Sequence, residues 1–121
     1  MKQQTSVVTG THILAQFITD NQRFLTDAAF ICNQISALIK QFSFTKIGQV
    51  VHAFPEGGYS CVIALAESHL TLHTWPELSY ATFDLFVCNY TRDNSRSAHD
   101  LYQEIVGLAK PSRIKMREIM R

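Results

Sequence analysis

Residues 60–87 read SCVIALAESHLTLHTWPELSYATFDLFV. Three runs inside this stretch, 60–65 (SCVIAL), 70–74 (LTLHT) and 80–87 (YATFDLFV), are apolar, β-branched and aromatic and read as strands, the last two separated by the turn-like Pro76-Glu77-Leu78-Ser79. Antiparallel neighbours are the simplest arrangement for strands joined so closely. Upstream, 45–54 (TKIGQVVHAF) is a further strand that the cluster Pro55-Glu56-Gly57-Gly58 breaks, predicting a hairpin into residue 60.

Farther out, Phe24, Leu25, Ala28, Cys32, Ile35, Leu38, Ile39 and Phe42 recur at three- and four-residue steps, the buried stripe of one amphipathic helix with N-cap candidates at Thr19-Asp20-Asn21. A first strand precedes it at 11–17 (THILAQF). Downstream, Asn94 or Ser95 caps a second helix whose face is Ala98, Leu101, Tyr102, Ile105 and Leu108; Pro111 stops it before a short final strand at 113–119. This order predicts a two-layer α/β sandwich, a mainly antiparallel sheet with two helices on one face.

The 121 residues are 46% apolar and 17% charged, with 5 Gly and 3 Pro, a globular composition without a linker, so one domain over 1–121 is expected. A chain of this length buries roughly two-thirds of its unfolded surface, and a site must compete with the core for space unless subunits share it. A formal net charge of +1 gives no footprint for nucleic acid or anionic lipid. Met1-Lys2-Gln3-Gln4-Thr5 leads into no secretory segment and no run approaches a membrane span, so a soluble, cytoplasmic protein is expected. Cys32, Cys61 and Cys88 are odd in number and lack CxxC spacing, which argues against a disulfide framework and for small buried hydrophobes.

Residues 66–77 (AESHLTLHTWPE) concentrate the reactive groups. Taken singly, each has an ordinary reading: a histidine is more often a hydrogen-bonded structural residue than a catalyst, and a lone tryptophan more often core than ligand platform. Zinc held by His69 and His73 with Cys88 and His52 is disfavoured, because four residues along a strand separate two side chains by about 13 Å. A Ser68-His-Asp84 triad lacks the GxSxG elbow and the helix that should follow it.

The run Glu67-Ser68-His69-Leu70-Thr71-Leu72-His73-Thr74-Trp75-Pro76-Glu77, followed by Asp84 and Cys88, closely resembles the core signature of prokaryotic S-adenosylmethionine decarboxylases, the pyruvoyl enzymes of polyamine synthesis. Looser similarity extends from Gly10-Thr11-His12 through Phe54 and Gly58-Tyr59-Ser60 and fades after the second helix. The resemblance implies self-cleavage into 1–67 and 68–121: Ser68 Oγ attacks the Glu67 carbonyl to make an ester, and elimination and loss of ammonia leave a pyruvoyl group at residue 68. Such a carbonyl is the electron sink that decarboxylation of an amino acid needs, engaged through a Schiff base with the substrate.

By the same resemblance His73 is the processing base, Ser60 polarises the reacting backbone, and Cys88 returns a proton to the substrate carbon. Glu77 matches the carboxylate that accepts from the ribose hydroxyls, and Phe54 with Trp75 flank the adenine and offer faces to the sulfonium. His69 takes a structural or orienting role, and Asp84 is a turn, strand-end or supporting acid. Relatives of this size imply at least a homodimer with sites near the interface, and the residue spacing leaves no metal expected. The sequence departs from the pattern at Asn89-Tyr90 after Cys88, at Pro55 directly after Phe54, and at Thr11. Two alternatives stand beside S-adenosylmethionine decarboxylation: the same chemistry on arginine or ornithine, or an unprocessed, non-catalytic homologue.

Overall fold

Six strands alternate their side chains between two unlike faces. In the computed structural model, which describes residues 9–90 and 92–121, they are β1 (Gly10–Ile18), β2 (Lys46–Ala53), β3 (Tyr59–Leu65), β4 (Ser68–Trp75), β5 (Tyr80–Cys88) and β6 (Arg113–Met120). The N-terminal stretch Met1–Thr5 considered above lies outside the described residues. The sheet order is β2-β3-β4-β5-β1-β6 and every neighbouring pair is antiparallel.

One face carries Ile13 and Phe17 of β1, Cys61 and Ile63 of β3, Leu70 and Leu72 of β4, and Phe83 and Leu85 of β5, all fully buried. The helices α2 (Ala28–Gln41) and α3 (Ser95–Ala109) close over it with Ile31, Cys32, Ile35 and Ile39 from the first, and Ala98, Leu101 and Ile105 from the second. Each large side chain removed from water here contributes roughly 1.5–3 kcal/mol. The opposite face bears His12 and Leu14, Ser60, His69, Thr71 and His73, Thr82, Asp84 and Phe86, all only half-buried. Val62 on the same face is exposed, as is Val50 of the edge strand β2, whose residues are exposed almost throughout.

The two-layer sandwich is as expected, with one correction. The first helical stripe is two helices: a short α1 (Gln22–Thr26) precedes α2, giving three α-helices among the described residues in place of two. Asp27 makes the break. Its backbone leaves the helical region (φ −93°, ψ 78°), and its carboxylate accepts from Phe30 N at 3.1 Å as the N-cap of α2. Asn21, one of the expected caps, serves α1, its side chain accepting from Phe24 N at 3.3 Å. Ile31, absent from the predicted stripe, is buried, whereas Ala28, Leu38 and Phe42 are only partly so. No helix among the described residues is long and apolar enough to cross a membrane.

Candidate active site

The signature lies along β4, and strand geometry spreads it. Ser68 opens the strand and His73 comes five residues later, roughly 16 Å away at the rise of an extended chain. The residues expected to act together therefore fall into two groups at opposite ends of one strand.

At the far end, Ser60 and His73 are cross-strand partners in the β3–β4 ladder, and Ser60 Oγ lies 2.7 Å from His73 Nδ1. This contact fixes the ring and leaves Nε2 as the free nitrogen for proton transfer. Phe54, Glu56, Gly58, Trp75 and Glu77 join the dyad around an open pocket of about 200 Å³. Trp75 and Phe54 are 37% and 44% exposed, with Tyr80 beside the Trp75 ring at 5.4 Å and His52 beside the Phe54 ring at 4.6 Å. Glu77 stands on the 3₁₀ turn Pro76–Leu78, which closes with Ser79 in the left-handed region (φ 50°).

The β2–β3 hairpin holds this end in place. Phe54 N donates to Gly58 O at 2.8 Å and Gly57 N to Phe54 O at 3.0 Å. Gly57 has φ 104°, and a Cβ on Gly58 would meet Thr74 O at 2.5 Å, so the loop needs glycine at both positions. Thr74 ties three elements together, accepting from Tyr59 N at 3.0 Å and donating to Leu25 O at 2.7 Å.

At the near end, backbone groups dominate. Cys88 N donates to Glu67 O at 2.8 Å, so the carbonyl that Ser68 would attack already has a donor where negative charge would develop. Ser68 has φ 155°, a positive value that side-chain-bearing residues rarely adopt. The Glu67 side chain turns away and accepts from Thr45 N at 3.1 Å. Cys88 is half-buried, unlike the fully enclosed Cys32 and Cys61, so the reading of all three cysteines as buried hydrophobes fails for this one. Asn94 Nδ2 donates to Cys88 O at 2.9 Å, and Asn89 Oδ1 accepts from Asn94 N at 2.8 Å, which pins the chain after Cys88.

Between the two ends, His12, His69 and Phe86 cluster on the open face, with His12 Nε2 3.3 Å from Asp84 Oδ1. Asp84 is thus a mid-strand residue that also accepts weakly from Thr71 Oγ1 at 3.5 Å, and not a turn or strand end. His69 and His73 point to the same face from positions four apart, the separation that disfavoured a shared metal. Sequence reasoning missed Glu56, whose place on the pocket wall follows from the hairpin path, and the Cys88 N–H, which only the strand register reveals.

A family profile described as S-adenosylmethionine decarboxylase matches residues 11–121. The chain belongs to the S-adenosylmethionine decarboxylase family. An S-adenosylmethionine decarboxylase proenzyme from Thermoplasma volcanium is 31% identical over 112 residues, covering 93% of this chain and 83% of its own length. One from Methanococcus maripaludis is 33% identical over 112 residues, covering 93% and 88%. The crystal structure of the adenosylmethionine decarboxylase from Aquifex aeolicus superposes with a TM-score of 0.83 at 27% identity, over 94% of this chain and 91% of that one. Similarity to the S-adenosylmethionine decarboxylase family thus reaches the end of β6, beyond the second long helix where the signature-based resemblance faded.

Proposed function

We propose that this chain is a proenzyme that cuts itself between Glu67 and Ser68 and then, as a pyruvoyl enzyme, decarboxylates S-adenosylmethionine. The products are CO2 and the aminopropyl donor for spermidine synthesis. The observation that carries the reading is the Ser60–His73 contact of 2.7 Å on the wall of a pocket that also holds Phe54, Trp75 and Glu77. A base, two aromatic faces and a carboxylate suit a substrate with a nucleoside and a cationic centre.

The backbone around Ser68 fits the formation of a pyruvoyl group. Ser68 Oγ attacks the Glu67 carbonyl carbon, the Cys88 N–H stabilises the charge on its oxygen, and the amide becomes an ester. His73 then removes the Ser68 α-proton, the Glu67 carboxylate leaves, and hydrolysis releases ammonia. The chain becomes 1–67 and 68–121. When present, the pyruvoyl carbonyl supplies the electron sink for the carbanion left as CO2 departs. Cys88 holds the proton returned to that carbon, Glu77 accepts from the ribose hydroxyls, and Phe54 and Trp75 hold the adenine.

Ser68 and His73 of one chain stand roughly 16 Å apart, too far for proton transfer. The reading therefore includes a homodimer in which Ser68 and Cys88 of one copy meet Ser60, His73 and Glu77 of the other. Two further features support it. The pocket's 200 Å³ falls short of the roughly 300–1,000 Å³ that encloses a ligand of this size. The open face, which carries Ser60, His73 and Cys88, has no helix over it among the described residues.

The test is intact-mass analysis joined to CO2 release from S-adenosylmethionine, arginine and ornithine. Two fragments meeting at 67/68, the second lacking its amino nitrogen, with turnover of S-adenosylmethionine alone, are expected. Turnover of arginine or ornithine only would remove the roles of Phe54, Trp75 and Glu77. A stable single chain would leave a non-catalytic homologue.

A further inference from the structure

Two of the three cysteines have no part in this chemistry. Cys32 on α2 and Cys61 on β3 are 3% and 0% exposed, and their sulfurs share a hydrogen bond at 3.3 Å across the boundary between the helix layer and the sheet. They are a contacting pair where the sequence suggested independent hydrophobes. A disulfide has its sulfurs about 2.05 Å apart, so these need to close by only about 1.2 Å.

The two thiols are not equivalent. The hydrogen bond shared with Cys61 lowers the Cys32 thiol below its ordinary range, against the opposing effect of burial and with help from the Lys46 charge. The same hydrogen bond and burial push Cys61 up. Cys32 is the partner better able to ionise, and Cys61 waits beside it as a thiol.

We propose that Cys32 and Cys61 form a peroxide-sensitive dithiol that closes into a buried disulfide tying α2 to β3. Cys32 thiolate attacks one oxygen of hydrogen peroxide, breaking the O–O bond and becoming a sulfenic acid as hydroxide leaves. The Cys61 sulfur then attacks the Cys32 sulfur, forming the S–S bond and expelling the second oxygen as water. Overall two thiols lose two electrons and two protons, and one peroxide becomes two waters. Burial restricts the reaction to a small oxidant, and the adjacent Cys61 intercepts the sulfenic acid before a second peroxide reaches it. The bridge joins positions 29 residues apart and lies wholly within 1–67, so it forms whether or not the chain is cleaved.

The experiment exposes the folded, reduced full-length protein to hydrogen peroxide, removes the peroxide with catalase, and unfolds the protein in N-ethylmaleimide. Cys32 and Cys61 are expected to take no label while the species carrying 1–67 loses about 2 Da. A single cross-linked peptide should contain both residues, and dithiothreitol before alkylation should restore both labels. The closed loop should raise Tm by roughly 8–16 °C, reversibly. In Cys61→Ser, peroxide should instead add one or more oxygens to Cys32. Two fully labelled thiols after Cys88 has been oxidised, or a sulfinic acid at Cys32 of the unsubstituted protein, would overturn the proposal. If Cys61→Ser does not fold, the cross-linked peptide of the unsubstituted protein decides alone.

Discussion

At the first residue of β4 the chemistry is set by backbone: a serine with φ 155°, a carbonyl before it, and the Cys88 N–H 2.8 Å from that carbonyl's oxygen. At the last residue it is set by side chains, with Ser60, His73, Trp75 and Glu77 facing a pocket. In the proposed function the first end holds the bond to be broken, and the second the base, the aromatic faces and the carboxylate. An extended strand keeps them apart as a helix would not, since residues five apart on a helix lie about 7.5 Å apart along its axis. In the proposed homodimer a single copy would hold two half-sites, each completed by the other end of a second copy.

The largest effect belongs to the bond itself. Ser68→Ala removes the attacking hydroxyl, and cleavage should fall from complete to none on a denaturing gel, with CO2 release lost too. His73→Ala should slow cleavage by about 10²–10⁴-fold. Mixing the two variants, after unfolding and refolding together, sharpens the comparison. The His73→Ala chain contributes Ser68 and the Ser68→Ala chain contributes His73, so one intact composite site arises in each mixed dimer. Cleavage should reappear in the His73→Ala chain alone. If the mixture stays as inert as its components, the two ends do not meet across copies.

Cys88→Ala should separate the stages at the near end. Its backbone N–H remains, so cleavage should proceed, while kcat for CO2 release falls by about 10²–10⁴-fold. Cleavage that fails in this variant would assign the thiol to processing. At the far end, Glu77→Gln should leave cleavage intact and raise KM for S-adenosylmethionine by about 10–100-fold, the loss of hydrogen bonds to a charged acceptor. A change confined to kcat would take Glu77 out of substrate binding.

How much of this was legible follows from the kind of signal each residue carries. The strands of 60–87 announce themselves because alternation and turn chemistry are local, and the signature at 67–77 identifies the family by residue identity alone. The split of the first helix was written in Asp27, but an acid inside an apolar stripe reads equally well as a solvent-facing helical position. The distance between Ser68 and His73 was available from strand rise, the same arithmetic that disfavoured zinc at His69 and His73. The resemblance groups catalytic residues by role, however, and roles carry no distances. The Cys88–Glu67 hydrogen bond and the Cys32–Cys61 contact depend on register and on helix placement over the sheet, which no local pattern encodes.

The smallest effect on the chemistry tests what keeps the far end rigid. Thr74 is 4% exposed, its side chain points into the core, and its hydroxyl serves β3 through Tyr59 N and α1 through Leu25 O. Thr74→Val keeps the shape and removes the hydroxyl, leaving a buried donor and a buried acceptor unpaired. The cost should be about 1–3 kcal/mol of folding stability, read from the urea midpoint. Because Tyr59 directly precedes Ser60, and Thr74 lies between His73 and Trp75, the loosened hairpin should act on substrate binding, raising KM a few-fold. The Ser68 end is roughly 20 Å away along the strand and keeps its own hydrogen bonds, so the near-end geometry should be undisturbed. Equal losses in cleavage and in binding would mean that the two ends of β4 respond as one unit, and the division between them would fail.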